Sequence, residues 1–192
     1  MAMTRRRITV VSGLPRSGTS MMMKMLEAGG LDVLTDSLRE ADADNPKGYY
    51  EFERVKQLED DKAWLPEAEG KVVKIISQLL HNLPSDYDYN VVFMRRRMGE
   101  ILASQERMLL RRGEETGKVP DEKLSALFRQ HLERVKTWLD EQPNFDVIYV
   151  SYNSVLETPR DEAKRIDAFL EESLDVQRMA EVVDPTLYRQ RT

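Results

Sequence analysis

Four short apolar runs, at 8–11, 72–76, 91–94 and 147–150, are built largely from valine and isoleucine and do not alternate with polar residues. Uninterrupted runs of that length fit strands buried on both faces. Between them, apolar residues recur at helical spacing, which predicts helices over 18–28, 51–64, 99–111, 121–141 and 160–171. Within the first of these, Met21, Met22, Met25 and Leu26 form one stripe, as expected of a helix face turned to the core. Strands that alternate with helices predict a parallel α/β sheet with right-handed crossovers. The turn signals Gly29-Gly30, Asn45-Pro46-Lys47-Gly48, Pro84-Ser85-Asp86 and Gln142-Pro143-Asn144 fall between the elements.

Composition narrows the picture. The 192 residues suit a single domain spanning 1–192, and 41% hydrophobic with 33% charged residues suits a folded globular chain. The net charge of −5 argues against nucleic acid and anionic membranes as partners, so an anion site has to come from a local concentration of arginines. Cysteine is absent, which removes disulfides and thiolate chemistry, and the imidazoles are His81 and His131. Arg5-Arg6-Arg7 precedes an apolar run too short for a signal peptide, and no run approaches a membrane span. The expected location is the cytoplasm. Oligomeric state is not legible.

The candidate chemistry begins where the first strand ends. In "ITVVSGLPRSGTS" a strand leads into a turn rich in Gly, Pro and Ser and then into a helix, the layout of a phosphate-binding loop. Gly13 and Gly18 have the P-loop spacing, but Thr19 stands where the lysine belongs. Such a loop presents backbone N–H groups and a helix dipole to an anion. The strand ending at Met94 is followed by Arg95-Arg96-Arg97 and not by an aspartate. Three cations oppose a magnesium ion and favour a second anion. No metal is expected.

"GLPRSGTS" resembles the 5′-phosphosulfate loop of the sulfotransferases that use 3′-phosphoadenosine 5′-phosphosulfate, with Arg16 as its basic residue. In "VVFMRRRMGEILAS", Arg96 at a strand end and Ser104 eight residues later match that family's grip on the 3′-phosphate. "VIYVSYNSVLETPRDEAKRIDAFL" is similar to its later strand, tyrosine-containing turn and helix, and "NPKGYYE" is similar to small bacterial members. The resemblance implies a three-layer P-loop NTPase-like α/β fold, with a central parallel sheet flanked by helices. It implies an enzyme that moves a sulfuryl group from that donor to a hydroxyl or amine and leaves adenosine 3′,5′-bisphosphate. Pro15, Arg16, Ser17, Gly18, Thr19 and Ser20 would then hold the 5′-phosphosulfate, Arg96 and Ser104 the 3′-phosphate, and Arg189 and Arg191 would close over it. Arg16 would meet the charge that develops on the leaving oxygen.

The general base is open between residues. The Thr-His pair of cytosolic family members is not matched in "KIISQLLHNLP", where Ser77 and His81 stand instead. Other branches use a glutamate before the second strand, which favours Glu51, with Glu53 and His81 behind it. His131, in a charged helical pattern, reads as a surface residue. The acceptor is unidentified, and its specificity is expected on the loops 31–50, 77–89 and 109–120. Two other readings remain at this point: a P-loop small-molecule kinase, and a non-catalytic module that binds adenosine 3′,5′-bisphosphate.

Overall fold

The computed structural model describes residues 7–36, 50–116 and 119–184. Its four strands are β1 (Arg7–Gly13), β2 (Val72–Lys74), β3 (Asp88–Arg95) and β4 (Phe145–Ser151). They form one parallel sheet in the order β2-β1-β3-β4. Val10 lies level with Val73 on one side and Val91 on the other, so the carboxyl ends of all the strands point the same way.

The helices are α1 (Thr19–Ala28), α2 (Met98–Arg111), α3 (Asp121–Asp140), α4 (Tyr152–Glu157), α5 (Pro159–Leu170) and α6 (Val176–Glu181). Alternate strand residues point to opposite faces, and each face has its own core. On one, Val11, Val72 and Val150 pack with Met22, Met25 and Leu26 of α1, Ile166 and Leu170 of α5, and Met179 of α6. On the other, Val10, Val73 and Val91 pack with Leu58, Trp64, Leu80 and Leu139. The molecule therefore has three layers. The methionine stripe of α1 is core: Met22, Met25 and Leu26 are fully buried.

The differences from the sequence reading have local causes. The helix expected over 51–64 is reduced to one short 3-10 helix, Glu53–Gln57, and a second, Leu65–Ala68, follows the expected span. Phe52, Val55 and Leu58 recur every three residues, the period at which 3-10 side chains eclipse. All three join the second core. A third 3-10 helix, Ser77–Asn82, follows β2. The short helices α4 and α6 have caps that the sequence reading overlooked. Ser151 Oγ accepts from the Ser154 N–H (3.3 Å), and Asp175 Oδ1 accepts from the Arg178 N–H (3.0 Å).

The strand β4 forms one edge of the sheet and does alternate, with Asp146 exposed beside buried Phe145 and Ile148. Among the described residues, no helix is long and apolar enough to cross a membrane.

Candidate functional site

The loop between β1 and α1 is shaped by three residues with positive φ: Gly13 (143°), Arg16 (71°) and Gly18 (99°). Two of them have no room for a side chain. A Cβ at Gly13 would stand 2.6 Å from Ser17 Oγ and 2.7 Å from the Met94 carbonyl oxygen, and one at Gly18 would stand 2.4 Å from Cδ2 of Tyr152. Arg16 has no such licence, and a left-handed backbone at a non-glycine residue costs of order 1–3 kcal/mol unless its surroundings fix it.

Those surroundings are an interlocked cluster at the carboxyl end of β3. Arg96 Nη1 donates to the Arg16 carbonyl oxygen (3.0 Å), and Arg96 Nε donates to Glu100 Oε2 (2.9 Å). The Arg96 guanidinium lies 4.3 Å from the Tyr152 ring centroid, and that ring is the one packed against Gly18. Glu100 is fully buried and also accepts from Asn153 Nδ2 at 3.1 Å. A buried carboxylate persists only with such partners. The left-handed turns of the loop are thus held by side chains of β3, α2 and α4.

The three consecutive arginines part ways, as the alternation at a strand end requires. Arg95 lies over the Tyr149 ring (5.2 Å), Arg96 turns inward, and Arg97 stays exposed, 3.8 Å from Glu100. The side chain that reaches Ser104 is that of Arg16, whose Nε donates to Ser104 Oγ at 2.9 Å. Arg16, Arg96 and Ser104 are therefore brought together.

Within the loop the Ser17 N–H closes a turn onto the Leu14 carbonyl (3.1 Å). The first N–H groups of α1, beginning at Thr19, have no carbonyl of their own helix to bond. Ser17 Oγ is buried without a hydrogen-bond partner, and buried hydroxyls are rarely left so. Pro15 is exposed on the rim.

Opposite Arg16, the end of β2 contributes a residue that the sequence reading missed. Lys74 has only a tenth of its side chain exposed, and its Nζ lies 3.5 Å from Ser20 Oγ and 3.9 Å from Glu51 Oε1. The loop has no lysine of its own, and the neighbouring strand brings this one beside Ser20 of α1. A lysine within the apolar run "VVKII" was the available signal, because nothing in a strand packed on both faces calls for a cation.

Glu51 is pinned from both sides. Its carbonyl accepts from Thr35 Oγ1 (2.8 Å) and from the Asp36 N–H (3.3 Å), while the preceding Tyr50 donates its hydroxyl to Glu27 of α1. Burial, and then the Glu27 carboxylate, push the Tyr50 phenol well above its ordinary pKa, so it remains a donor.

His81 is not part of this cluster. It is exposed in a groove between the 3-10 helix Ser77–Asn82 and α3. There His131, expected at the surface, is half-buried instead, with Nε2 2.9 Å from Oγ of buried Ser77. Burial first, then the charges of Arg134 and His81, lower the His131 pKa. Arg189 and Arg191 lie outside the described residues.

Residues 6–190 match the sulfotransferase domain family. A sequence comparison with curated proteins finds no match. Among solved structures, the Mycobacterium tuberculosis sulfotransferase STF1 superimposes with a TM-score of 0.63 at 19% identity, over 96% of this chain and 74% of that one. The sulfotransferase domain of the Synechococcus olefin synthase gives 0.57 at 16% identity, over 98% and 84%. A mouse sulfotransferase solved with PAP gives 0.52 at 14% identity, over 92% and 62%. At these identities the structural likeness speaks for the fold.

Proposed function

This chain belongs to the sulfotransferase family, and from that premise we propose that its loop holds the 5′-phosphosulfate of 3′-phosphoadenosine 5′-phosphosulfate while Arg96 and Ser104 hold the 3′-phosphate. The observation that carries the reading is the meeting of Arg16, Arg96 and Ser104 around a loop whose left-handed turns are fixed beforehand. One feature fits the phosphosulfate: the buried Ser17 hydroxyl at the loop is without a partner. The N–H groups at the start of α1 and the hydroxyls of Thr19 and Ser20 complete the set, with Pro15 shaping the rim.

In the transfer, an acceptor oxygen or nitrogen forms a bond to sulfur as the bond from sulfur to the bridging oxygen breaks. The bisphosphate leaves carrying the new negative charge. Arg16 and Lys74 stand on two sides of the loop to meet that charge, so a strand lysine performs the task that the P-loop lysine performs elsewhere. Glu51, held by its backbone contacts with its carboxylate near Lys74, takes the acceptor proton. His81 lies in the other cluster and serves less well as the base. Arg189 and Arg191 keep the role implied by the resemblance, as late basic residues closing on the 3′-phosphate.

Calorimetric titration with adenosine 3′,5′-bisphosphate and, in parallel, ADP tests this. Micromolar binding of the bisphosphate, unaffected by magnesium and far tighter than that of ADP, is expected. Equal affinity for the two nucleotides would remove the proposed 3′-phosphate site.

A further inference from the structure

The groove between the 3-10 helix Ser77–Asn82 and α3 has no part in holding the donor, yet its lining is unlike the rest of this acidic surface. It has a volume of about 310 Å³ and is lined by Ser77, Gln78, Leu80, His81, His131, Arg134, Val135 and Trp138. None of these is a carboxylate. Leu80, Val135 and Trp138 make an apolar wall that continues into the core. His131, Arg134, Val135 and Trp138 share one face of α3, being spaced by three and four residues.

Arg134 brings the fixed positive charge of the groove. The positions three and four residues either side of Arg134 are Gln130, His131, Thr137 and Trp138, so its own helix offers no anion. Among the described residues, no carboxylate pairs with it. An exposed guanidinium beside two imidazoles and an indole wall suits an anion carried on an apolar body.

The groove also starts near the transfer site. Ser77 is three residues beyond Lys74, so their Cα atoms lie within about 10 Å of one another. The helix α3 precedes the parallel strand β4 and runs antiparallel to it. From Ser77 and His131 the groove therefore leads away from the carboxyl ends of the strands toward Arg134 and then Trp138.

We infer that this groove receives the sulfuryl acceptor, and that the acceptor is a small hydroxylated organic anion: its hydroxyl end directed toward Lys74, its ring on Leu80 and Val135, its carboxylate on Arg134. The inference rests on the sulfotransferase reading for the word acceptor, and on the groove alone for the chemistry. His131 contributes a neutral imidazole at pH 7, able to donate or accept, since burial lowers its pKa.

The chain has only two histidines, so their imidazole NMR signals can be assigned with one variant, His81→Gln. The probes are 4-hydroxyphenylacetate and its neutral counterpart 4-ethylphenol, titrated into the bisphosphate-saturated full chain. Saturable shifts of both imidazole signals by the anion are expected. In Arg134→Ala the affinity for the anion should fall at least about tenfold, and sulfation of 4-hydroxyphenylacetate over 4-ethylphenol should lose its preference. Imidazole signals indifferent to the anion, or an Arg134→Ala variant that binds it as well as wild type, overturn the inference. Absence of bisphosphate binding in the same sample would instead overturn the donor site, while the imidazole shifts would still report on the groove.

Discussion

Arg96 and Arg134 are the same side chain under opposite conditions. Arg96 has 8% of its side chain exposed and is committed to Glu100, to the Arg16 carbonyl and to the face of Tyr152. Arg134 is exposed on α3 beside a groove and answers to no carboxylate among the described residues. The first shapes the loop beside the site proposed for the 3′-phosphate, and the second has no protein carboxylate to answer it among the described residues. The geometry proposed for the donor is thus built in advance, whereas the groove proposed for the acceptor is left open. That division suits an enzyme with a fixed donor, since preorganisation reduces the ordering cost of binding.

The sharpest way to break the comparison is to disturb the buried side. Glu100→Ala would leave Arg96 buried without its counter-charge, and a loss of about 3–5 kcal/mol in urea unfolding is expected. A loss below about 1 kcal/mol would mean that Arg96 had found water or another partner. Next, Arg16→Ala should lower transfer by roughly 10²–10³-fold, the cost of losing one preorganised charge stabiliser, while the bisphosphate dissociation constant moves less than about tenfold. Kinetics and calorimetry on the same variant separate the two effects.

Glu51→Gln should slow transfer by about 100-fold and spare bisphosphate binding, as for removal of a general base. Full activity would transfer that role to another group. The smallest effect belongs to the groove. The His131 pKa is lowered in the folded chain from its ordinary 6.5, so the unfolded chain takes up more protons there as the pH falls. Its stabilising contribution is present above pH of about 6.5 and is lost as the pH drops through the folded value. Urea midpoints measured from neutral to mildly acidic pH should therefore fall less steeply in His131→Gln than in wild type.

Much of this was legible from the chain, for identifiable reasons. Buried parallel strands carry continuous Val and Ile runs, so each strand of the sheet could be found, although β2 stops at Lys74 and not at 76. The helix boundaries of α1, α2, α3 and α5 followed from apolar spacing to within a residue or so. The family resemblance singled out the loop residues, Arg96 and Ser104, and the fold brings Arg16, Arg96 and Ser104 together. The bond from Arg16 to Ser104 could not be foreseen, because it joins residues far apart in the chain. Likewise Glu100 looks like any helix-surface glutamate until β3 and α4 enclose it. Lys74 was missed for another reason: it was counted within a strand and not asked why a strand would bury an amine.

The clamp on the loop has a consequence for the order in which the molecule can acquire its site. The strand β1 and residues Leu14–Gly18 are synthesised before the groups that shape them, since Arg96 arrives with the end of β3 and Tyr152 only with α4. Until β3 has docked beside β1, nothing holds Arg16 in its left-handed turn, and until Tyr152 arrives nothing packs against Gly18. During synthesis at roughly 5–20 residues per second, the nascent chain has a glycine-rich loop for several seconds before it has the side chains that clamp it. Nucleotide binding at the proposed site would therefore require the polypeptide to be assembled at least through Asn153.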